Sequence, residues 1–176
     1  MREFSIWLKD LSTKPLPGAV AAAALAAAMG AGLVAKAIRV TLRRQEMDST
    51  THAALQGVFD LANRKQDALI RLAEADEQAY RAVLEARAKP PPARREAWLQ
   101  ATEVPICVAE ACGSLVDVSS PWIEHCWPAL CPDLQIGLWL LETGNRAGLA
   151  AAESNIGFCG DIAAAESLQL RIEALK

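Results

Sequence analysis

Apolar residues recur every three or four positions along most of the chain, the spacing that places side chains on one face of an α-helix. Prolines and capping residues divide this pattern into segments. The pattern predicts a bundle of five to six helices, over residues 2–11, 18–44, 50–88, 94–120, 133–152, and from 162 onwards. The fourth of these ends where a series of prolines begins at Pro121. We expect the fourth helix to bend or restart at Pro105, because proline lacks the N–H that a helix interior requires.

Polar residues and prolines at the predicted helix ends suit ordinary capping and turn roles. Ser49, or the threonine after it, is expected to cap the third helix, and Pro90-Pro91-Pro92 to stop it. Asp133, or the proline before it, opens the fifth helix. Asn155 is expected in a break between the last two helices, and Asp161 at the N-cap of the last one.

The third predicted helix carries a seam of positions spaced alternately by four and three residues, as in a coiled coil. Six of its eight members are apolar; the full set is Val58, Ala62, Lys65, Leu69, Leu72, Asp76, Ala79 and Val83. A carboxylate at Asp76 would therefore face the interior, where an unpaired charge is costly. Two interpretations stay open: a buried structural pair or helix-end carboxylate, and a functional carboxylate that faces a pocket between helices.

Composition narrows the fold class to all-α. Alanine, the strongest helix former, supplies 35 of the 176 residues, while the chain has five Trp, three Phe and one Tyr. Too few β-branched and aromatic residues remain for a sheet protein. The length and the absence of a linker-like stretch predict one domain over residues 1–176.

The residues from Leu16 to Ala35 form a run of twenty without a charge, which is long enough to span a bilayer. Most of them are Ala and Gly, with few large apolar side chains to drive insertion. The preceding residues also lack the short basic region of a signal peptide. We therefore expect a buried, Ala-rich second helix, with a membrane span as the weaker alternative.

Charge and cysteine content restrict the partners. A net charge of −3 with scattered basic residues does not indicate a nucleic-acid surface.

The odd cysteine count argues against a secreted disulfide framework and predicts a cytoplasmic protein. The cysteine spacings do not match structural zinc sites, so we expect buried thiols, no metal and no tightly bound cofactor; the five are Cys107, Cys112, Cys126, Cys131 and Cys159.

Several stretches of the chain resemble, in order, the formiminotransferase-cyclodeaminase and methenyltetrahydrofolate cyclohydrolase family. Ser12–Gly18, followed by the Ala-rich helix, is similar to the family's S-x-x-P-T-P-G opening. Ala75–Tyr80 resembles its D-x-x-A-F/Y stretch, and Ala101–Pro105 its A-x-x-V-P. Pro132–Gln135, with Asn155 at the family's spacing, resembles the terminal pattern.

The resemblance implies an all-α homodimer that acts on a folate carrying a one-carbon unit. It puts Asp76 forward as the catalytic carboxylate and Arg43 with Arg44 as the partners of the folate's glutamate tail, since guanidinium groups suit carboxylates. The residues it assigns to substrate binding are Pro17, Gly18, Arg43, Arg44, Asp133 and Asn155.

The implied reaction is hydrolysis of 5,10-methenyltetrahydrofolate, with a carboxylate as general base towards the attacking water. The related cyclodeaminase reaction, which releases ammonia from the 5-formimino compound, is an alternative in which the same carboxyl group serves as acid. The family's triple glycine is here Gly18-Ala19-Val20, and Val20 adds bulk where the family has none. A member that retains the fold but acts as a binding protein for another ligand is therefore a further alternative.

Overall fold

A computed structural model describes residues 2–176, with side chains from Glu3 onwards, and within that range it contains six α-helices and no strand. Two single 3₁₀ turns, at residues 120–122 and 128–130, lie between the fourth and fifth helices. The all-α prediction is confirmed. The helices are α1 (Arg2–Thr13), α2 (Ala19–Arg44), α3 (Ser49–Ala86), α4 (Pro91–Ser119), α5 (Cys131–Ile156) and α6 (Ile162–Ala174).

The four long helices form a bundle in which each packs on two others: α2 on α3 and α5, and α4 on α5 and α3. The start of α2 lies beside residue 76 of α3, while its later part meets the start of α5. The N-terminal helix α1 reaches α3 through a hydrogen bond from Trp7 Nε1 to Glu77 Oε1 (3.2 Å). The last helix, α6, packs on α4 and α5.

Two glycines allow the backbones of α2 and α5 to touch. A Cβ built on Gly30 would lie 2.6 Å from the carbonyl oxygen of Gly137, and one on Gly137 would lie 2.8 Å from that of Gly30. Real side chains do not come this close, so any residue larger than glycine would force the helices apart. The alanines of α2 continue this close packing, since Ala21, Ala24 and Ala27 are fully buried.

The α2 helix is also long and apolar enough to cross a membrane, with 56% of its most apolar window buried inside the protein. A core helix passes the same test of length and composition. The burial against α3 and α5 agrees with the expected Ala-rich second helix in the bundle.

The three consecutive prolines after α3 do more than end that helix, because they also start α4. Pro90 is the N-cap of α4, and Pro91 and Pro92 are its first residues, so the helix begins at Pro91 and not near Arg94. Proline suits the first turn because the N–H groups there have no helical partner and its φ is already helical. The expected restart at Pro105 is also wrong, because α4 continues through it to Ser119.

Other helix ends differ in detail from the prediction. Asp48, and not Ser49 or Thr50, caps α3 by accepting hydrogen bonds from two backbone N–H groups in its first turn. The fifth helix begins at Cys131 and continues to Ile156, so Asn155 lies in its last turn and not in a break. The expected N-cap of α6 is confirmed: Asp161 Oδ1 accepts a hydrogen bond from Ala164 N (3.0 Å).

Candidate functional site

The seam carboxylate of α3 lies at the start of α2. Asp76 is 9% exposed, and its Oδ2 accepts a hydrogen bond from the backbone N of Ala21 (3.1 Å). The Cα of Gly18 is so near that a Cβ there would lie 3.5 Å from the same oxygen. The absence of a side chain at Gly18 keeps the backbone close to the carboxyl group.

Asp76 supplies an acceptor that α2 lacks locally. The N-cap of α2 is Gly18, which has no side chain to accept from the first-turn N–H groups. Those groups form the positive end of the helix dipole, where a carboxylate is stabilised. Part of the role of Asp76 is therefore structural, as a cap delivered from another helix.

The second carboxyl oxygen of Asp76 is free. Within residues 2–176, Oδ1 has no hydrogen-bond partner, and the one buried side-chain oxygen or nitrogen without a partner in that range is Ser119 Oγ. Oδ1 therefore keeps some access to solvent. A carboxyl group with one oxygen anchored and the other open is suited to exchanging a proton with a molecule beside it.

Burial raises the pKa of Asp76 above its ordinary value. The hydrogen bond from Ala21 opposes this shift because it favours the carboxylate, and the neighbouring charge of Glu77 adds to it. The balance keeps the proton on Asp76 at a higher pH than on an exposed aspartate. Such a shift moves a carboxyl group towards the range in which an acid–base catalyst works.

We expect this raised pKa to appear in the stability of the fold. The native state binds the Asp76 proton more tightly than the unfolded chain, so this group's contribution to stability is present at acid pH and is lost as pH rises through the native pKa. The difference in unfolding free energy between wild type and Asp76→Asn should therefore change in favour of wild type as pH falls. Urea unfolding of both proteins between pH 4 and about 8 measures it; a difference independent of pH would contradict the shift.

Lys65, the other polar member of the seam, does not pair with Asp76. Eleven residues separate them on α3, which is roughly 16 Å along the helix axis. Lys65 is half-buried near Cys112, whose thiol pKa burial raises to about 12 against the opposing effect of the Lys65 charge. The structural partner of Asp76 is therefore the backbone of α2, through Ala21 N.

Small grooves lie on both sides of the Asp76 turn without reaching its side chain. One, of about 450 Å³, is lined by Trp7, Leu25, Glu74 and Glu77 among others, between α1, α2 and α3. Another, of about 310 Å³, lies between α3 and α4 beside Gln78. Asp76 is not among the lining residues of either groove, so both grooves approach its helical turn without opening onto its buried carboxyl group.

Pro17 and Asn155 lie at the same end of the bundle as Asp76. Pro17 is buried in the segment that leads into α2, and its bond to Leu16 is cis. Asn155 Nδ2 donates a hydrogen bond to the backbone oxygen of Ala101 (2.8 Å). That oxygen lies four residues before Pro105, which has no N–H to donate to it. Asn155 thus replaces the missing donor and lets α4 continue through Pro105.

This compensation predicts a coupling between Asn155 and Pro105. Asn155→Ala should cost about 1–3 kcal/mol of unfolding free energy, because a buried carbonyl loses its donor. In a Pro105→Ala background residue 105 supplies its own N–H, so the cost of Asn155→Ala should shrink. Urea unfolding of the four proteins of this double-mutant cycle measures the coupling. Equal costs in both backgrounds would contradict the interpretation.

The remaining predicted binding residues lie far from Asp76 in the same chain. Arg43 and Arg44 are exposed at the C-terminal end of α2, roughly 38 Å along the helix from Gly18. Asp133 is in the first turn of α5, where its Oδ2 accepts a hydrogen bond from Lys36 Nζ. Lys36 is itself roughly 27 Å along α2 from Gly18. The predicted site residues therefore form two groups, one at each end of α2.

Sequence reasoning missed the groups that hold Asp76. Ala21 takes part through its backbone N–H, which no side-chain pattern identifies. Glu77 was not considered, although it lies beside Asp76 in sequence, accepts from Trp7 and helps to raise the Asp76 pKa. The absence of a capping residue before α2, visible in the run Pro17-Gly18-Ala19, is the one sequence signal for an acceptor from elsewhere in the fold.

Fold and site together define an all-α bundle protein with a buried carboxyl group at the start of an Ala-rich helix. A sequence model of the formiminotransferase-cyclodeaminase family matches residues 5–174. The chain belongs to this folate-related family of the cyclodeaminase type.

The fold is also found among solved structures. The crystal structure of formiminotetrahydrofolate cyclodeaminase from Thermotoga maritima matches with a TM-score of 0.90 and 18% sequence identity, over 99% of this chain and 87% of that chain. At this identity the match establishes the fold alone. No curated protein matches the sequence.

Proposed function

We propose that this chain is a formiminotetrahydrofolate cyclodeaminase in which Asp76 transfers the proton. The observation that carries the proposal is the state of that carboxyl group: burial raises its pKa, one oxygen is fixed by Ala21 N, and the other is open. A raised pKa favours the acid form of a carboxyl group, and the departure of ammonia needs an acid. The family description and the activity named for the Thermotoga maritima protein favour the same reaction.

The chemistry needs one ring closure and one proton relay. The reacting form of the 5-formimino compound is its amidinium, in which the imino nitrogen already carries two hydrogens. N10 attacks the formimino carbon of this cation, and the C–N bond to the former imino nitrogen then breaks, with the N10 proton lost. Asp76 donates its proton to the departing nitrogen and takes up the N10 proton, so the carboxyl group is restored. The products are ammonia and the 5,10-methenyl cation, which a carboxylate stabilises while it is present. The folate carries the carbon itself, so the proposed reaction needs no metal and no bound cofactor.

Hydrolysis of 5,10-methenyltetrahydrofolate is the second candidate. It begins from the cation that the first reaction forms, and the open Oδ1 of Asp76 is suited to accept a proton from an attacking water. The upward shift of the Asp76 pKa favours the acid role over this one, because it stabilises the protonated form relative to the carboxylate. For that reason the cyclodeaminase reaction is placed first.

Two assays on the purified chain separate these reactions. With 5-formiminotetrahydrofolate, a cyclodeaminase releases ammonia and builds up the absorbance of the methenyl compound. With 5,10-methenyltetrahydrofolate, a cyclohydrolase removes that absorbance faster than buffer does. If neither reaction exceeds the rate without protein, and tetrahydrofolate does not raise the melting temperature either, the chain is a member of the fold that binds another ligand.

Val20, which stands where the family has a glycine, does not cover the carboxyl group of Asp76. Val20 points into the core of the bundle, where it is buried, and Ala19 is the exposed residue of that turn. The cytoplasm stays our expected setting, since the five cysteines are free thiols. A homodimer is part of the proposal as well.

In the proposed homodimer, Arg43 should act on binding of the folate tail; within one chain it lies too far from Asp76 to reach the same ligand. We expect Arg43→Ala to raise KM by roughly 10- to 150-fold with little change in kcat, because a charge-assisted hydrogen bond contributes about 1.5–3 kcal/mol. The measurement is steady-state kinetics with the glutamate-bearing substrate. As a control, a substrate shortened to the pterin and aminobenzoyl parts should show no difference between Arg43→Ala and wild type; an equal effect on both substrates would contradict the role.

A further inference from the structure

Two of the five cysteines lie at the two ends of one short turn. Cys126 comes just before the 3₁₀ turn at residues 128–130, and Cys131 is the first residue of α5. The Cys131 thiol folds back over this turn: its Sγ lies 3.6 Å from the carbonyl oxygen of Cys126 and 3.6 Å from that of Trp127. The turn therefore brings the two cysteines together, with four residues between them.

The sulfur of Cys126 is held in place from α2. Thr41 Oγ1 donates a hydrogen bond to Cys126 Sγ (3.7 Å), and the same oxygen accepts one from Trp127 N (2.9 Å). Thr41 is fully buried, and Cys126 is 4% exposed. The start of the turn is thus anchored to the bundle, and Cys126 has a fixed position beside Cys131.

The two thiols also interact with each other. Burial raises the pKa of Cys126, the hydrogen bond from Thr41 lowers it, and the neighbouring Cys131 thiol and the Asp133 carboxylate raise it further. Cys126 is therefore a buried thiol that keeps its proton at neutral pH, with a second sulfur beside it.

The other three thiols have different neighbours. Cys107 lies against Glu103, whose Oε1 is 3.7 Å from its Sγ, and Cys159 Sγ lies 3.4 Å from Thr102 Oγ1. Cys112 is fully buried, and burial raises its pKa to about 12. Thiols buried in this way are unreactive. The pair at the turn is therefore the place where one oxidised cysteine would find another within reach.

The two members of the pair differ in access to solvent. Cys131 is half-buried, whereas Cys126 is buried. An oxidant therefore reaches the Cys131 sulfur first, and the Cys126 sulfur is placed to react with the product. An accessible thiol with a resolving cysteine next to it is the usual arrangement of a redox-sensitive site.

We propose that Cys126 and Cys131 form a reversible disulfide when the protein meets hydrogen peroxide. First, the Cys131 thiolate attacks one peroxide oxygen: an S–O bond forms, the O–O bond breaks, and the hydroxide that leaves takes up the thiol proton as water. The Cys126 sulfur then attacks the sulfenic sulfur: the S–S bond forms, the S–O bond breaks, and a second water leaves with the Cys126 proton. Two thiols are oxidised, and one peroxide is reduced to two waters.

The disulfide is reversible because a small thiol such as glutathione reduces it by exchange. In a reducing compartment a disulfide of this kind is transient and follows the level of oxidant. The pair lies away from the candidate carboxylate, since Thr41 is roughly 30 Å along α2 from Ala21. The inference therefore does not rest on the proposed function, and its test does not require a substrate.

The test counts thiols after exposure to peroxide. Reduced wild type is treated with hydrogen peroxide, unfolded, alkylated with iodoacetamide and analysed by mass spectrometry. All five cysteines should be alkylated before oxidation and three after it, with a cross-link that fragmentation places between Cys126 and Cys131. Reduction before alkylation should restore all five. Five alkylated thiols after peroxide, a cross-link to another cysteine, or oxygen added to Cys131 without a cross-link would overturn the proposal.

Three variants test the order of the steps. Cys107→Ser is the matched control, because Cys107 is also half-buried but lies against a carboxylate, and it should form the cross-link at the wild-type rate. Cys126→Ser should stop after the first step, with a Cys131 sulfenic acid that reacts with dimedone. Cys131→Ala should leave Cys126 reduced. Circular dichroism checks that each variant is folded. A folded Cys126→Ser protein without the dimedone adduct, or loss of the cross-link in Cys107→Ser, would contradict the assignment.

Discussion

Asp76→Asn is expected to lower kcat by about 100- to 10,000-fold, which is the usual contribution of a positioned acid or base. Asparagine has nearly the same shape, and its Oδ1 can still accept from Ala21 N. It cannot exchange a proton, however. The loss should therefore fall on kcat and kcat/KM alike, with the fold intact.

The structural role of Asp76 requires a second variant. Asp76→Ala removes both the proton and the acceptor, so α2 loses its cap, at a cost of about 0.5–2 kcal/mol of unfolding free energy. Asp76→Asn should unfold at or above the wild-type urea midpoint near neutral pH, and Asp76→Ala below it. If Asp76 were only a structural residue, Asp76→Asn would keep full activity. The rate of wild type should also fall as pH rises through the raised Asp76 pKa, since the acid form is the active one.

Gly30→Ala is expected to destabilise the bundle, because it places a methyl group where the backbones of α2 and α5 touch. Its Cβ would lie 2.6 Å from the carbonyl oxygen of Gly137 and 2.9 Å from Leu140 Cβ. Neither neighbour is the flexible end of a side chain, so the helices must separate. Overpacking of this kind costs about 1–3 kcal/mol, which lowers Tm by roughly 2–12 °C in a chain of this length.

Gly57→Ala is the matched control. Gly57 also lies inside a long helix, but a Cβ there meets nothing within 4 Å. Alanine is a better helix former, so this change should stabilise by up to about 1 kcal/mol. Thermal unfolding of the two variants should therefore give shifts of opposite sign. Shifts of the same sign would show that α2 and α5 are not in backbone contact.

The helices and the candidate carboxylate were largely predictable because they depend on local spacing. The period of apolar residues located all six helices, and the coiled-coil-like seam of α3 isolated Asp76, which is buried as that position implies. The Ala-rich run of α2 correctly indicated close packing. The period of apolar residues does not show which helix packs against each apolar face. The close approach of α2 and α5 at Gly30 and Gly137 was therefore not predicted.

The errors come from residues whose role depends on a distant group. Pro105 was expected to interrupt α4, since nothing nearby in sequence could satisfy the Ala101 carbonyl. Asn155, fifty-four residues further on, does so, and was itself placed in a turn. The division of the binding residues between two ends of α2 is of another kind: it already follows from the predicted helix over residues 18–44, whose rise separates Gly18 from Arg43 by roughly 38 Å.

The reaction proposed for this chain is ring closure of 5-formiminotetrahydrofolate with Asp76 as the proton donor. The most direct measurement is the rate of ammonia release from that compound by wild type and by Asp76→Asn under the same conditions. Wild type should release ammonia and methenyl compound in equal amounts, at least about 100-fold faster than the variant. Wild-type release no faster than that of Asp76→Asn would contradict it.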